Sequence, residues 1–490
     1  MNLKRGDNLR KCELLTNLDF LQEGKPFPPV SQRERLLTYE QNKMLFEDQH
    51  SEVYKEQFSR IERVIGNFEQ IVSYSTIFNF QKLMTLKIAD FVFGAKPKVT
   101  VSDDTKQEII NKIVHRTDLY NKLYMSAIDI SRYGNSVMQL FKSQSDVGLN
   151  VTSPALWFPV VSHDNIQEFL CHCFCWTYII SSTEHYTKYG LKVHIHYPSE
   201  PKWCYVLDFE LNGSNGNFTI GKRLNKDEKL EIEADLKKCP IFVVANTLTS
   251  DRCFGIDDYG SIDSIVSELE IRVSQVSKIL DKFSNPSMSG PRSCMTYNDQ
   301  TQRYEFKVGE YYEINDGAPR PEMITWDAGL DANFKQIEFL VNQLHTISEM
   351  GSAVFGDLSN SAGNVASGTA LRRLMISPLA KAKRIVNVYD SVLKNMISLA
   401  AEIYGVHIEP EEISIAWRDG LPNDPREDAE IMNIRTGGKA TMSRRTAIAK
   451  YDEKSDEDVD NEIAQIEADE ISDTFGNVPV NEPESVVVDE

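Results

Sequence analysis

The hydrophobic positions of the chain repeat most regularly between residues 259 and 404. From Ile262, apolar side chains recur at Val266, Leu269, Val273, Val276, Leu280 and Phe283, with spacings of 4, 3, 4, 3, 4 and 3. That spacing draws one apolar seam along a helix and predicts a helix over residues 259–283. Phe334, Ile337, Val341 and Leu344 repeat the pattern and predict a second helix over 331–350. Between them the chain changes character. Arg303-Tyr304-Glu305-Phe306-Lys307-Val308 and Glu310-Tyr311-Tyr312-Glu313-Ile314 alternate among Gly, Pro and Asn, which predicts short strands and turns over 284–330.

After Met350 the sequence turns small and polar. Residues 351–367 hold Ser352, Asp357, Ser359, Asn360, Ser361, Asn364 and Ser367 among Gly and Ala, and they predict a flexible loop too poor in large apolar side chains to pack. Ser367-Gly368-Thr369-Ala370-Leu371 then opens a helix predicted to reach about Tyr404, with Leu371, Leu374, Met375, Leu379, Ala382, Ile385, Val386, Tyr389, Leu393, Met396 and Ile397 facing inward. Pro378 lies inside that helix. A proline there removes one backbone hydrogen bond and clashes with the carbonyl four residues back, so a bend is predicted between Leu374 and Pro378.

Towards the N-terminus, residues up to about Asp90 read as mostly helical. Leu36, Leu37, Met44, Leu45, Phe46, Phe58, Ile61, Val64 and Ile65 are the expected buried positions over 31–66. From Phe169 to Tyr205 the pattern is that of strands. Cys171, Cys173 and Cys175 alternate with His172, Phe174 and Trp176, so the thiols share one face and the histidine takes the other. These cysteines, with Cys204, His194 and His196, suggest metal ligands, but zinc sites draw paired cysteines from turns rather than from adjacent positions of one strand. Buried structural cysteines are expected instead, the His194-x-His196 pair is assigned to sheet surface, and no metal is expected.

Four local signals together resemble the portal proteins of tailed double-stranded DNA bacteriophages. They are Asn79-Phe80-Gln81-Lys82-Leu83 with Ala89-Asp90-Phe91-Val92-Phe93-Gly94-Ala95-Lys96-Pro97, then Phe254-Gly255-Ile256-Asp257-Asp258-Tyr259-Gly260-Ser261-Ile262, then Ser367-Gly368-Thr369-Ala370-Leu371, and Ile415-Ala416-Trp417-Arg418-Asp419-Gly420-Leu421-Pro422-Asn423-Asp424. Their order spans roughly residues 70 to 470. The resemblance implies an α+β subunit: a mixed α/β wing over 1–258, two long stem helices at 259–283 and 331–350, a small strand-rich clip at 284–330, and a channel loop at 351–367. A kinked spine helix with a wing strand would occupy 368–422, a helical crown 423–472, and an acidic, disordered tail 473–490. In the crown, Pro425-Arg426-Glu427 and Ser443-Arg444-Arg445 read as helix starts, the first with Pro in its first turn and the second with a Ser cap.

As the resemblance implies, copies of the chain would close into a homo-oligomeric ring, a dodecamer, at one capsid vertex. Double-stranded DNA would pass through it without sequence preference during packaging and ejection. The packaging motor's terminase large subunit, head-completion and neck proteins, and the major capsid and scaffolding proteins would be its partners. The ring also answers a packing question. Two helices, one of 25 residues and about 37 Å long, bracket a sheet too small to cover both, and lateral contacts with copies would supply the missing cover.

Composition changes this picture little. Of the formal net charge of -20, the last forty residues carry fifteen Asp and Glu against one Lys, so the body is nearly balanced. No long Lys/Arg run marks a nucleic-acid groove, which suits DNA that must slide and equally suits a protein that never meets DNA. No run of about 18 apolar residues exists and Met1-Asn2-Leu3-Lys4-Arg5 opens no signal peptide, so synthesis and assembly in the host cytoplasm and no membrane association are expected. Eight scattered cysteines in such a chain speak against disulfides. P-loop, zincin and nucleophile-elbow motifs are missing, so no enzyme and no cofactor is expected. The alternative is a metal-dependent enzyme acting on nucleic acid or phosphoesters through Asp257-Asp258 or Asp419 and Asp424. At turns and helix starts, however, such residues ordinarily cap backbone amides.

Overall fold

The computed structural model describes residues 14–58, 76–143, 146–183, 186–198, 204–214, 216–225, 228–230, 238–284, 288–289, 296–305, 317, 322–323, 330–356, 372–418, 425–437, 440–451 and 456–476. They fall into two compact units, one of residues 1–360 with 375–420, the other of 361–374 with 421–490. No described helix is long and apolar enough to cross a membrane.

In the first unit the short strand β1 (Pro26–Phe27) precedes helices α1 (Arg33–Phe46), α2 (His50–Val53) and α3 (Phe80–Phe93). Asn79 caps α3 by accepting from the Lys82 amide at 2.8 Å. Gly94-Ala95-Lys96-Pro97 then leads into β2 (Lys98–Thr100). Helices α4 (Asp104–Arg116) and α5 (Leu119–Tyr133) follow, with Asp103 capping α4.

Strands β3 (Asn135–Ser143), β4 (Asp146–Thr152), β5 (Trp157–Val161), β6 (Phe169–Ser182), β7 (Thr187–His196), β8 (Cys204–Ser214), β9 (Asn217–Arg223), β10 (Glu228–Leu230) and β11 (Ile241–Ala245) come next. They build a sheet ordered β1-β9-β8-β7-β6-β5 with β10 added on β8, and a smaller sheet ordered β11-β3-β4. Period two places Cys171, Cys173 and Cys175 together in a core with Phe158, Val193, Ile195 and Phe209, where burial pushes the Cys175 thiol pKa up. His172 faces the other way and accepts from the Trp157 indole N–H at 3.2 Å.

Helix α6 (Asp263–Ser284), the two-residue pairs β12 (Met288–Ser289) with β15 (Glu322–Met323), the hairpin β13 (Thr296–Asn298) with β14 (Arg303–Glu305), and α7 (Leu330–Ile347) match the predicted order of helix, short strands and helix. Short α8 (Gly351–Val354), long α9 (Ile376–Ile403) and β16 (Ser414–Ala416) complete the unit. The first and last motif segments meet, because β16 pairs antiparallel with β2, Ile415 opposite Val99. Trp417 packs on Phe93, their ring centroids 5.9 Å apart.

In the second unit α10 (Pro425–Thr436), α11 (Arg444–Tyr451) and α12 (Asp456–Gly476) are helical. Pro425 opens α10, and Ser443 caps α11 through its Oγ, 3.1 Å from the Thr446 amide. Ala447, Ile448 and Val459 are buried, and Arg445 pairs with Asp460 at 3.1 Å. Helix α12 continues through Gly476, so the first four residues of the expected disordered tail are helical. The remaining tail lies outside the described residues.

Three further expectations are corrected. The buried face of α1 is Arg35, Thr38, Tyr39, Asn42 and Leu45, while Leu37 is exposed. The start of the loop expected from Gly351 is not a loop: Gly351–Val354 is helical and Phe355 packs against Phe80 and His345, centroids 5.1 and 5.2 Å away, while the rest of that segment from Asp357 lies outside the described residues. The single helix expected over 368–404 is interrupted: residues 372–374 are helical, Met375 is a turn, and α9 starts at Ile376. Pro378 therefore sits in the first turn of α9, where a missing N–H forfeits no bond.

Candidate channel wall and its anchoring

The chain turns into α6 through a tight backbone crossing. Gly134, with φ +77°, lies so close to Gly255 that a Cβ on either would fall 2.3 Å or less from the other's carbonyl oxygen. The Gly255 amide donates to the Asn135 side-chain oxygen at 3.1 Å, which holds the crossing shut. Asp257 Oδ1 then accepts from the amides of Tyr259 and Gly260 at 2.9 and 2.8 Å, capping the turn before α6. Tyr259 is fully buried and its hydroxyl is 2.9 Å from that of Thr85 on α3.

The body grips the first half of α6 on its polar side as well. Glu270 and His50 are both fully buried, 2.7 Å apart, and Glu270 also accepts from the Phe78 amide at 3.1 Å. The Thr76 amide donates to Ser274 at 3.0 Å, and the Tyr54 hydroxyl to Asp263 at 3.1 Å. Residues 76–78 thus run beside the helix, with the amides of Thr76 and Phe78 satisfied by it.

The apolar seam divides in two. Ile262 just before α6, Val266, Leu269 and Val276 of α6 and Leu344 of α7 are buried in the chain's own core, with Val273, Ile337 and Val341 packed partly against it. Leu280 is 48% exposed, and Phe334 and Phe339 are 51% and 60% exposed. The expectation that the chain cannot cover these helices is therefore corrected for their body-side halves: α3, α5 and α9 reach that core, and five of the ten seam positions are already covered without a neighbour. Along the seam, what stays uncovered is Leu280 near the C-terminal end of α6 and Phe334 near the N-terminal end of α7, while Phe339 is exposed off the seam at the middle of α7.

A charged knot ties α9 to both helices. Lys381 Nζ is 2.9 Å from Asp258 Oδ1 and donates to the Ser348 carbonyl at 3.2 Å, with both charged side chains about nine-tenths buried. Arg384 pairs with Glu349. Beside them opens a crevice of about 690 Å³ lined by Asn246, Asp258, Ser261, Ile347, Lys381 and Arg384. Deeper along α9, Tyr389 is fully buried, its hydroxyl 2.7 Å from that of Ser126, and burial pushes its pKa up.

Of the expected loop residues only Ser352 is described, on α8. Asp357, Ser359, Asn360, Ser361, Asn364 and Ser367 lie outside the described residues, as do Asp419 and Asp424. One cluster on the large sheet also differs from expectation. His196 and Cys204 are buried and His194 half-buried, and their ligand atoms lie within 4.8 Å of one another. Burial, with the neighbouring His196 and Lys192, lowers the His194 pKa to about 4. The i, i+2 spacing already puts the two histidines on one face, and the β7–β8 register sets Cys204 opposite His196, a pairing the sequence spacing does not show.

Residues 71–474 match the family described as phage portal protein, SPP1 Gp6-like. The chain belongs to that family. As a portal protein it has a structural role, and the turn carboxylates agree: Asp257 caps backbone amides and Asp258 neutralises Lys381, which leaves the metal-nuclease reading without support. Solved structures with a similar chain include the virion of the native gene transfer agent (GTA) particle, at 11% identity over 76% of this chain and 89% of that one, with a TM-score of 0.42. The neck of the empty GTA particle computed with C6 symmetry gives 10% identity over 76% and 90%, with a TM-score of 0.43. Curated protein sequences offered no match.

Proposed function

We propose that this portal protein forms a closed ring of twelve copies at one capsid vertex, in which α6 and α7 are the stem, the short strand pairs between them the clip, α9 the spine, and α10 to α12 the crown. Double-stranded DNA passes along the axis during packaging and ejection. The clip docks the terminase large subunit and later the head-completion and neck proteins, and the wing meets capsid and scaffolding proteins. Assembly takes place in the host cytoplasm.

The observation that supports this reading is the split seam: the body covers Val266, Leu269 and Leu344 and leaves Leu280 and Phe334 exposed at the far ends of α6 and α7, with Phe339 exposed at mid-helix. Large apolar side chains left in water on a projecting helix pair call for cover, and head-to-tail copies around an axis supply it. The residues from Asp357 to Ser367, anchored at one end by Phe355, then form the channel loop. Native mass spectrometry of the purified chain tests the ring, with a mass near twelve subunits expected; a monomer at micromolar concentration would overturn it. Removing residues 359–364 should leave that mass unchanged and lower the yield of DNA-filled heads.

A further inference from the structure

We infer that His194, His196 and Cys204 form a zinc site on the large sheet of the wing. The register makes the site. In the antiparallel β7–β8 pair His196 stands opposite Cys204, and His194 lies two residues back on the same strand. Period two puts both histidines on one face, and cross-strand partners share a face, so the three side chains project to the same side.

The distances suit a metal. The His196 Nε2 to Cys204 Sγ separation is 3.6 Å. With Zn–N near 2.1 Å and Zn–S near 2.3 Å at a tetrahedral angle, a zinc ion demands about 3.6 Å between those two atoms. The third ligand atom is within 4.8 Å of both, so closing the site needs a side-chain adjustment of about an ångström and no movement of strands.

A second observation points the same way. His194 Nε2 is buried and has no hydrogen-bond partner. An unsatisfied buried polar atom is unfavourable, and a metal ion would satisfy it. His172, opposite His196 on β6, is not in the ligand set: its Nδ1 already accepts from the Trp157 indole, which places any proton of the neutral ring on Nε2. Two histidines and a cysteine leave the fourth position to water. On binding, the Cys204 thiol gives its proton to solvent as the Zn–S bond forms, so uptake weakens as pH falls. The ion would staple the end of β7 to the start of β8.

The test uses the full-length chain, stripped with a chelator, then loaded with Zn²⁺ or Co²⁺ and desalted. One zinc per subunit by elemental mass spectrometry, and a thiolate-to-cobalt charge-transfer band with Co²⁺, are expected. Cys204→Ser should abolish the band, and His194→Gln, which removes one ligand nitrogen, should weaken zinc retention at least tenfold. Cys171→Ser, on the opposite face, should retain the ion. The inference fails if the unaltered chain retains no zinc, or if His194→Gln and Cys204→Ser retain it as well as the parent.

Discussion

Lys381 and Asp258 stand 2.9 Å apart where α9 crosses the start of α6, each about nine-tenths buried. Removing one member of such a pair leaves the other charge desolvated, which costs about 3–5 kcal/mol. Asn246 also donates to Asp258 at 3.2 Å and softens the loss. Lys381→Met should therefore cost about 3 kcal/mol in denaturant unfolding. Adding Asp258→Asn should restore part of it; strictly additive losses would show that the two charges do not depend on each other.

That knot illustrates what the sequence made legible and what it hid. The 4-3 spacing predicted α6 and α7 to within a few residues, since periodicity reports a helix's own face. It could not report what covers that face. Ile262 and Val266 look identical in pattern to Leu280, yet the first two are buried by elements from elsewhere in the chain. Helix α1 misled for a related reason: its buried face is polar because the Arg35 guanidinium donates to the carbonyls of Pro154 and Trp157 at 3.0 and 2.9 Å and lies over the Phe254 ring. Those partners are more than a hundred residues away. In the same way the two histidines of β7 read as surface until strand register set Cys204 beside them.

The crossing of Gly134 and Gly255 leaves no room for a side chain. Gly255→Ala places a methyl 2.1 Å from the Gly134 carbonyl oxygen, and Gly134→Ala adds a left-handed φ to a similar clash. Both should destabilise the first unit by more than about 3 kcal/mol, against about 1–2 kcal/mol for Gly24→Ala, where φ is +86° but no atom lies within 4 Å of the added Cβ. Equal losses at Gly24 and Gly255 in thermal unfolding would contradict the crowding argument.

Asp390 gives the clearest acid dependence. Burial alone would raise its pKa, but hydrogen bonds from Lys394 and from the Trp417 indole outweigh it and hold the carboxyl below its usual value. The unfolded chain then binds the proton more readily, so the stabilisation is complete above about pH 4 and is lost as pH falls below that. Trp417→Phe keeps the ring against Phe93 but deletes the donor. Its cost should be about 1 kcal/mol at neutral pH and should shrink towards about pH 2. A cost independent of pH would assign the loss to packing instead.

The two halves of the seam predict opposite consequences for similar substitutions. Ile262 is covered by its own subunit, so Ile262→Ala should lower subunit stability by about 2–5 kcal/mol whatever the state of assembly. Phe334 stands half exposed at the far end of α7, where its own chain gains little from it. Phe334→Asp should leave the unfolding of the separated subunit within about 0.5 kcal/mol of the parent while putting a charge where a neighbour is proposed to sit. Rings should then dissociate at higher protein concentration than the parent's, a shift of at least tenfold in native mass or sedimentation measurements. If Phe334→Asp rings are as stable as the parent's, the far end of the stem is not a subunit contact; if the separated subunit unfolds early, Phe334 belongs to the core of its own chain.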